Sequence, residues 1–198
     1  MSIVVEHEKR RKEILEKALD VFMDEGFENA TFQKIADRCG IIRTTLYIYF
    51  RNKKEIFNYS IKLLLVKVEE DIQQIRTDAS IGSVEKITKV LLNILRHLEE
   101  NRRLLSVILD YLLHLSKNNF EPEMRVRRRT IRLRHILASM IIEGVKSGEL
   151  KPVNIKTAGD FLYSLIEAAI FRLVVLKRET SEELRETAAF AVRCFAAE

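Results

Sequence analysis

Apolar residues recur along most of this chain at intervals of three and four, the spacing that lines them up on one side of an α-helix. Ile14, Leu15, Ala18, Val21 and Phe22 form such a stripe on a first helix predicted from about His7 to Glu25, which Gly26 ends. Phe32, Ile35, Ala36 and Cys39 form the stripe of a second, shorter helix, opened by the hydroxyl of Thr31 and closed by Gly40. A third is predicted from about Ile42 to Phe50, with Leu46 and Phe50 facing inward. Asn52 followed by Glu55 has the spacing of a capping box and opens a fourth helix that continues to about Arg76. Alternation of period two never persists long enough to make a convincing strand.

Beyond the linker Thr77 to Gly82, Ser83 is expected to cap a fifth helix ending near Glu99, and Asn101 a sixth. The run Leu104 to Leu109 is apolar nearly all round, as in a buried element. Lys117 to Asn119 breaks that helix, and Pro122 suits the first turn of a long seventh, ended by Ser147 and Gly148. Asn154 opens an eighth helix, and Thr180 with Glu183 a ninth. The predicted fold is all-α with about nine helices. Only six glycines and two prolines interrupt the chain, which favours long helices.

Composition narrows the class. At 198 residues the chain can bury a substantial core, and 47% apolar with 32% charged residues is too apolar for disorder. Cys39 and Cys194 lie far apart without metal-ligand spacing, so neither a disulfide framework nor a zinc site is expected, and Cys39 reads as a small core residue. The amino terminus lacks a signal-type apolar segment. The longest apolar run, Phe161 to Leu176, is broken by Glu167 and Arg172, so no membrane span and a cytoplasmic location are expected. Net charge is +5, and six cations against one acid lie between Asn29 and Lys54. Such a patch attracts phosphate by counterion release, although a charge run by itself also suits a solvated face.

Two short helices hinged on Gly40 give that patch a specific reading: a helix-turn-helix, whose second helix enters the DNA major groove. Arg43, near the start of that helix, is the candidate base reader, because a guanidinium fork matches guanine O6 and N7. Thr44 and Thr45 suit a thymine methyl or a phosphate oxygen, and Tyr47 and Tyr49 offer hydroxyls. Lys53 and Lys54 lie in the first turn of the fourth helix, where unpaired amides favour an anion. Thr31 and Gln33 open the helix that crosses the backbone. Each side chain taken singly also fits a packing or solvated role.

The segment G-I-I-R-T-T-L-Y-I-Y-F-R-N-K-K-E over Gly40–Glu55 resembles the G-V-S-x-x-T-L-Y-x-Y-F-x-x-K-E signature of the tetracycline-repressor (TetR) family. The preceding Gly26 to Ala36 is similar to that family's G-y-x-x-t-T-v-x-x-I-A pattern. Carried over by position, the resemblance implies a DNA surface of Thr31, Gln33, Arg43, Thr44, Thr45, Tyr47, Tyr49 and Lys53. It departs at Ile42, where a small polar cap is usual, at Thr44, where glycine or alanine is common, and at Ile48, which replaces a frequent histidine. On this reading residues 1–52 are a three-helix DNA-binding domain, and residues 53–198 a helical ligand-binding and dimerisation domain.

A single helix-turn-helix makes few base contacts, so a palindromic double-stranded DNA operator read by a homodimer is expected. Phe161, Leu165, Ala169 and Leu173 of the eighth helix, with Leu184, Ala188, Ala191 and Phe195 of the ninth, are the candidate dimer surface; the same stripe would also serve packing within one subunit. The resemblance implies a small-molecule effector among the middle helices, with His97, Tyr111, His114, Arg132, His135, Tyr163 and Glu167 as candidate contacts. Six arginines between Arg125 and Arg134 suggest an inward Arg129 or Arg132 for an anionic acyl head group, or a solvated face paired with acids. The expected activity is ligand-responsive repression without a cofactor. A same-fold DNA-binding adaptor without an effector is the alternative. A bundle enzyme is disfavoured, since no glycine-rich phosphate loop, H-E-x-x-H or nucleophile with its base is present.

Overall fold

The computed structural model describes residues 3–117, 124–177 and 182–197, so the expectations for Asn118, Asn119, Pro122 and Thr180 lie outside the described residues. Nine helices are present among them: α1 (Ile3–Asn29), α2 (Phe32–Cys39), α3 (Arg43–Tyr49), α4 (Lys53–Thr77), α5 (Ser83–Glu100), α6 (Arg102–Lys117), α7 (Met124–Ser147), α8 (Ile155–Val174) and α9 (Glu182–Arg193). The fold is all-α. Its one departure is an isolated antiparallel bridge between Leu150 and Ala196.

The chain divides into two compact units. Met1–Lys67 with Ser106–Leu113 forms the first, and Val68–Leu105 with His114–Glu198 the second. Helices α4 and α6 therefore each supply residues to both. In the first unit Ile14, Ala18, Phe22, Ile35, Leu46, Phe50, Ile56 and Phe57 are buried together with Ala36. Phe22, Phe27, Phe57 and Tyr111 add a cluster of aromatic rings with centroids 4.4 to 5.9 Å apart. The second unit is built on Ile87, Leu91, Leu137, Ile141, Leu162, Ile166, Ala188 and Val192.

Local signals explain most boundaries. Gly26 has φ 74 and ψ 166, a backbone that interrupts α1 and leaves Phe27 to Asn29 as a separate short turn. Gly40 sits in the left-handed region, its N–H on the Asp37 carbonyl at 3.0 Å and that of Ile41 on Ala36 at 3.1 Å, which satisfies two otherwise orphaned carbonyls of α2. Asn52 Oδ1 accepts from the Glu55 amide at 2.8 Å, while the Glu55 carboxylate turns back to the Arg51 amide at 2.6 Å. Asn154 caps α8 through the Thr157 amide at 3.0 Å.

Two caps differ from the sequence expectation. The N-cap of α5 is Gly82, and the Ser83 amide is taken by Glu149 Oε2 at 2.6 Å, a carboxylate from the turn just after α7. Asn101 does not open α6 with its side chain; its Nδ2 donates to the His97 carbonyl at 2.8 Å and so closes α5. An asparagine between two helices can serve either end, and here the preceding carbonyl wins.

Candidate nucleic-acid interface

Helix α3 is held at one point. Leu46 is fully buried, whereas Arg43, Thr44, Tyr47 and Ile48 are exposed and Thr45 and Tyr49 half-buried. With about 100° between successive residues, Thr44 and Ile48 straddle the direction opposite Leu46, and Tyr47 and then Arg43 lie on the Thr44 side. This outward face is long enough to lie along a groove. Arg43 Nη2 donates to the Tyr47 hydroxyl at 3.2 Å, and its guanidinium stands 5.8 Å from that ring. The Tyr47 ring in turn packs on Phe32 of α2 at 4.7 Å. The exposed arginine is thus pre-positioned by its own helix.

The neighbouring side chains fall into distinct roles. Thr31, exposed, accepts from the Lys34 amide at 3.2 Å and caps α2. Gln33 donates to Asp37 at 2.7 Å on the exposed side of the same helix. Tyr49 stacks on His7 of α1 with centroids 4.6 Å apart. Lys53 was expected to meet phosphate, but its ammonium donates to the carbonyls of Phe27 and Glu28, both at 2.8 Å, and lies 4.7 Å from the Phe27 ring. It closes the end of α1, where carbonyls lack intrahelical partners.

The basic patch is also milder in space than along the chain. Lys34 pairs with Glu25 at 2.7 Å and Arg38 with Asp24 at 3.0 Å, acids that precede Asn29 in the chain. Ile42, the N-cap residue of α3, has extended backbone and no side-chain cap bond. Cys39 is buried, and that burial pushes its thiol up from the ordinary range against the opposing pull of Lys17 and Arg10, so it is protonated packing material.

The candidate effector residues do not converge. His97 is buried, with Nε2 2.8 Å from Asp71 and Nδ1 3.8 Å from Glu100, so both ring nitrogens face protein carboxylates. Hydrogen bonds from His97 and then Asn93 hold the Asp71 carboxyl below the usual carboxylate range. Tyr111 packs its ring against Phe27 and Phe57 in the first unit. Arg132 is exposed and paired with Glu69 at 3.1 Å, which overturns its inward placement. His114, His135 and Glu167 are exposed. Tyr163 is buried, its hydroxyl 3.3 Å from Thr130 and its ring 4.6 Å from the Arg134 guanidinium. The side chain of Arg129 lies outside the described residues.

Five of the candidate dimer residues (Ala169, Leu173, Leu184, Ala188 and Ala191) are buried inside the single subunit. They are core, because α9 and α5 cover that side of the stripe. Phe161 is 46% exposed, Leu165 and Phe195 are half-buried, and the Phe161 and Phe195 rings meet at 6.0 Å. The open apolar face is turned from the predicted one: it carries Phe161, Phe171 and Val175 of α8 and its C-cap, with Phe190 of α9 63% exposed.

A small all-helical head that presents an arginine, hydroxyls and a tyrosine on the outer side of a short second helix defines a helix-turn-helix DNA-binding protein. Residues 14–59 match the family model described as bacterial regulatory proteins, tetR family. Over 170 residues the chain is 26% identical to the fatty acid metabolism regulator protein of Bacillus subtilis, covering 82% of this chain and 84% of that one. It is 27% identical over 144 residues to the transcriptional repressor KstR2 of Mycolicibacterium smegmatis, covering 72% and 68%. A solved TetR transcription regulator from Haloarcula marismortui shares the fold with a TM-score of 0.83 at 21% identity, covering 96% of this chain and all of that one. Residues 14–59 thus carry a DNA-binding domain of the tetR type, and the chain is a DNA-binding transcriptional regulator.

Proposed function

We propose that this regulator is a homodimeric repressor that reads a palindromic operator through α3 and leaves it when a small apolar effector binds. Residues 1–52 act as the reading head, and residues 53–198 as the effector and dimerisation part. The observation that carries the reading is the outer side of α3, where Thr44 stands opposite the buried Leu46 and Arg43 and Tyr47 are exposed beside it. Arg43 takes a guanine edge, while Tyr47, Thr45, Tyr49, Thr31 and Gln33 position the helix on sugar and phosphate. Lys53 contributes at most its remaining N–H.

The exposed phenylalanines of α8 and α9 support a twofold partner, because single side chains of that size are seldom left open in a row. The name of one relative, the fatty acid metabolism regulator of Bacillus subtilis, supports an effector of lipid character. Helix α4 supplies residues to both units, so an effector that favours a different placement of α4 shifts the population away from the form that fits both half-sites. The protein works as a regulator in the cytoplasm, not as a catalyst. Among the described residues no helix is long and apolar enough to cross a membrane.

Selection of bound duplexes from a random pool, repeated with free fatty acids, acyl thioesters and sterol acids, tests this. A two-half-site palindrome is expected, released by one of these classes. Arg43→Ala with Tyr47→Ala should weaken binding by about 100-fold or more, since each specific contact contributes about 1–3 kcal/mol. Unchanged affinity and salt dependence in that double variant would overturn the reading.

A further inference from the structure

We infer that Ile48 is a sequence-reading residue that contacts the C5-methyl group of a thymine in each operator half-site. The inference rests on α3 being the groove-inserted helix proposed above. Ile42 and Ile48 are each 69% exposed, more than any other exposed large hydrophobic residue among those described, and they lie at the two ends of a seven-residue helix.

Position and chemistry converge on Ile48. It stands two residues after Leu46, roughly 200° around the helix from the side chain that anchors α3 to the core. Thr44 stands two residues before Leu46, and so these two share the outermost line of the helix. A seven-residue helix is about 10 Å long, short enough for its whole outer line from Thr44 to Ile48 to lie within the major groove. An isoleucine has neither donor nor acceptor and cannot hold phosphate or pair with N7, O6 or N6. The apolar feature that the major groove of unmodified DNA offers is the thymine methyl.

The surroundings favour DNA over a protein partner. Ile48 lies beside Thr44, the exposed Tyr47 and Arg43 follow on the Thr44 side of the helix, and Arg51 is exposed just beyond its end. The centres of protein–protein contacts are depleted in charge, whereas a reading surface sets a few apolar groups among cations and hydroxyls. An exposed apolar side chain in that setting gains from burial only when a methyl group lies opposite.

The test takes the selected operator and replaces each thymine in turn by deoxyuridine, which keeps the base pair and removes the methyl group. At one position per half-site the wild-type protein should bind about fourfold more weakly, and about fifteenfold with both half-sites replaced, as expected for one buried methyl each. Ile48→Ala should bind the thymine and deoxyuridine duplexes equally, and Ile48→Val should keep the discrimination. Matching circular dichroism and melting curves establish that both variants fold. Indifference of the wild-type protein to deoxyuridine at every position overturns the inference, as does discrimination that survives in Ile48→Ala. If the parent duplex is still bound selectively in those cases, the groove-reading role of α3 stands. If no duplex is bound selectively, both fall.

Discussion

At the scale of single residues, identity and neighbourhood carry different information. Arg43, Thr44 and Tyr47 lie where a helical count from Gly40 places them, because the turn is local and the period fixes the outward face. Lys53 was not readable in the same way. Its partners, the carbonyls of Phe27 and Glu28, become neighbours only once α4 packs beside the end of α1. Replacing Lys53 by Ala removes two charge-assisted hydrogen bonds and the contact with the Phe27 ring, and should destabilise the protein by about 2 kcal/mol. The slope of log affinity against log salt should fall by no more than about one, the worth of a single phosphate contact. Urea unfolding beside a salt titration of operator binding separates the two; full stability with a steeper loss of slope would make Lys53 a phosphate ligand instead. Ile42 gives the opposite case. The N-cap of α3 has no side-chain acceptor, so Ile42→Ser should add about 1 kcal/mol of stability in the same unfolding measurement.

Helices end where caps tell them to, and caps differ in how far away their partners lie. Gly40, Asn52 and Asn154 use atoms within five residues, and all three were legible in the sequence. The start of α5 was not, because Glu149 reaches it from the turn that follows α7, 66 residues further along the chain. A Cβ at Gly82 would fall only 2.2 Å from that carboxylate, so the glycine makes room for the cap. Gly82→Ala and Glu149→Ala should therefore each cost about 1 kcal/mol in denaturant unfolding, and the double variant little more than either alone. The tie between α4 and α5 adds a pH dependence. Asp71 accepts from His97, Asn93 and Arg96, and its carboxyl is held below the ordinary value of 3.8. A group whose pKa is depressed on folding stabilises the native state above its unfolded pKa, and that stabilisation is lost as pH falls through the folded value. Wild-type stability should thus decline more steeply below about pH 4 than that of Asp71→Asn, which should be less stable at neutral pH. Parallel pH profiles of the urea midpoint would remove Asp71 from this role.

For the whole molecule, the sequence shows that α8 and α9 carry more apolar surface than one face needs, but not which part the subunit itself covers. Helical period groups Ala169 with Leu173, and Ala188 with Ala191, without saying what packs on them. In the fold these residues are core, and the side left open runs through Phe161, Phe171 and Val175, with Phe190 on the neighbouring helix. Phe161, Phe171 and Val175 fall within about 80° of one another around α8 and its C-cap, a stripe that a second helical pair can cover. If that stripe joins two subunits, adding charge there should separate them without unfolding either, because the side chains contribute little to the subunit's own core. Phe171→Glu with Phe190→Glu is expected to sediment as a monomer at micromolar concentration, with melting behaviour that no longer depends on protein concentration. Operator affinity should fall by at least about 100-fold, since the second half-site is no longer delivered together with the first. Binding to an isolated half-site should be unchanged, because α3 is untouched. A double variant that remains dimeric would place the twofold contact on another face of the helical bundle.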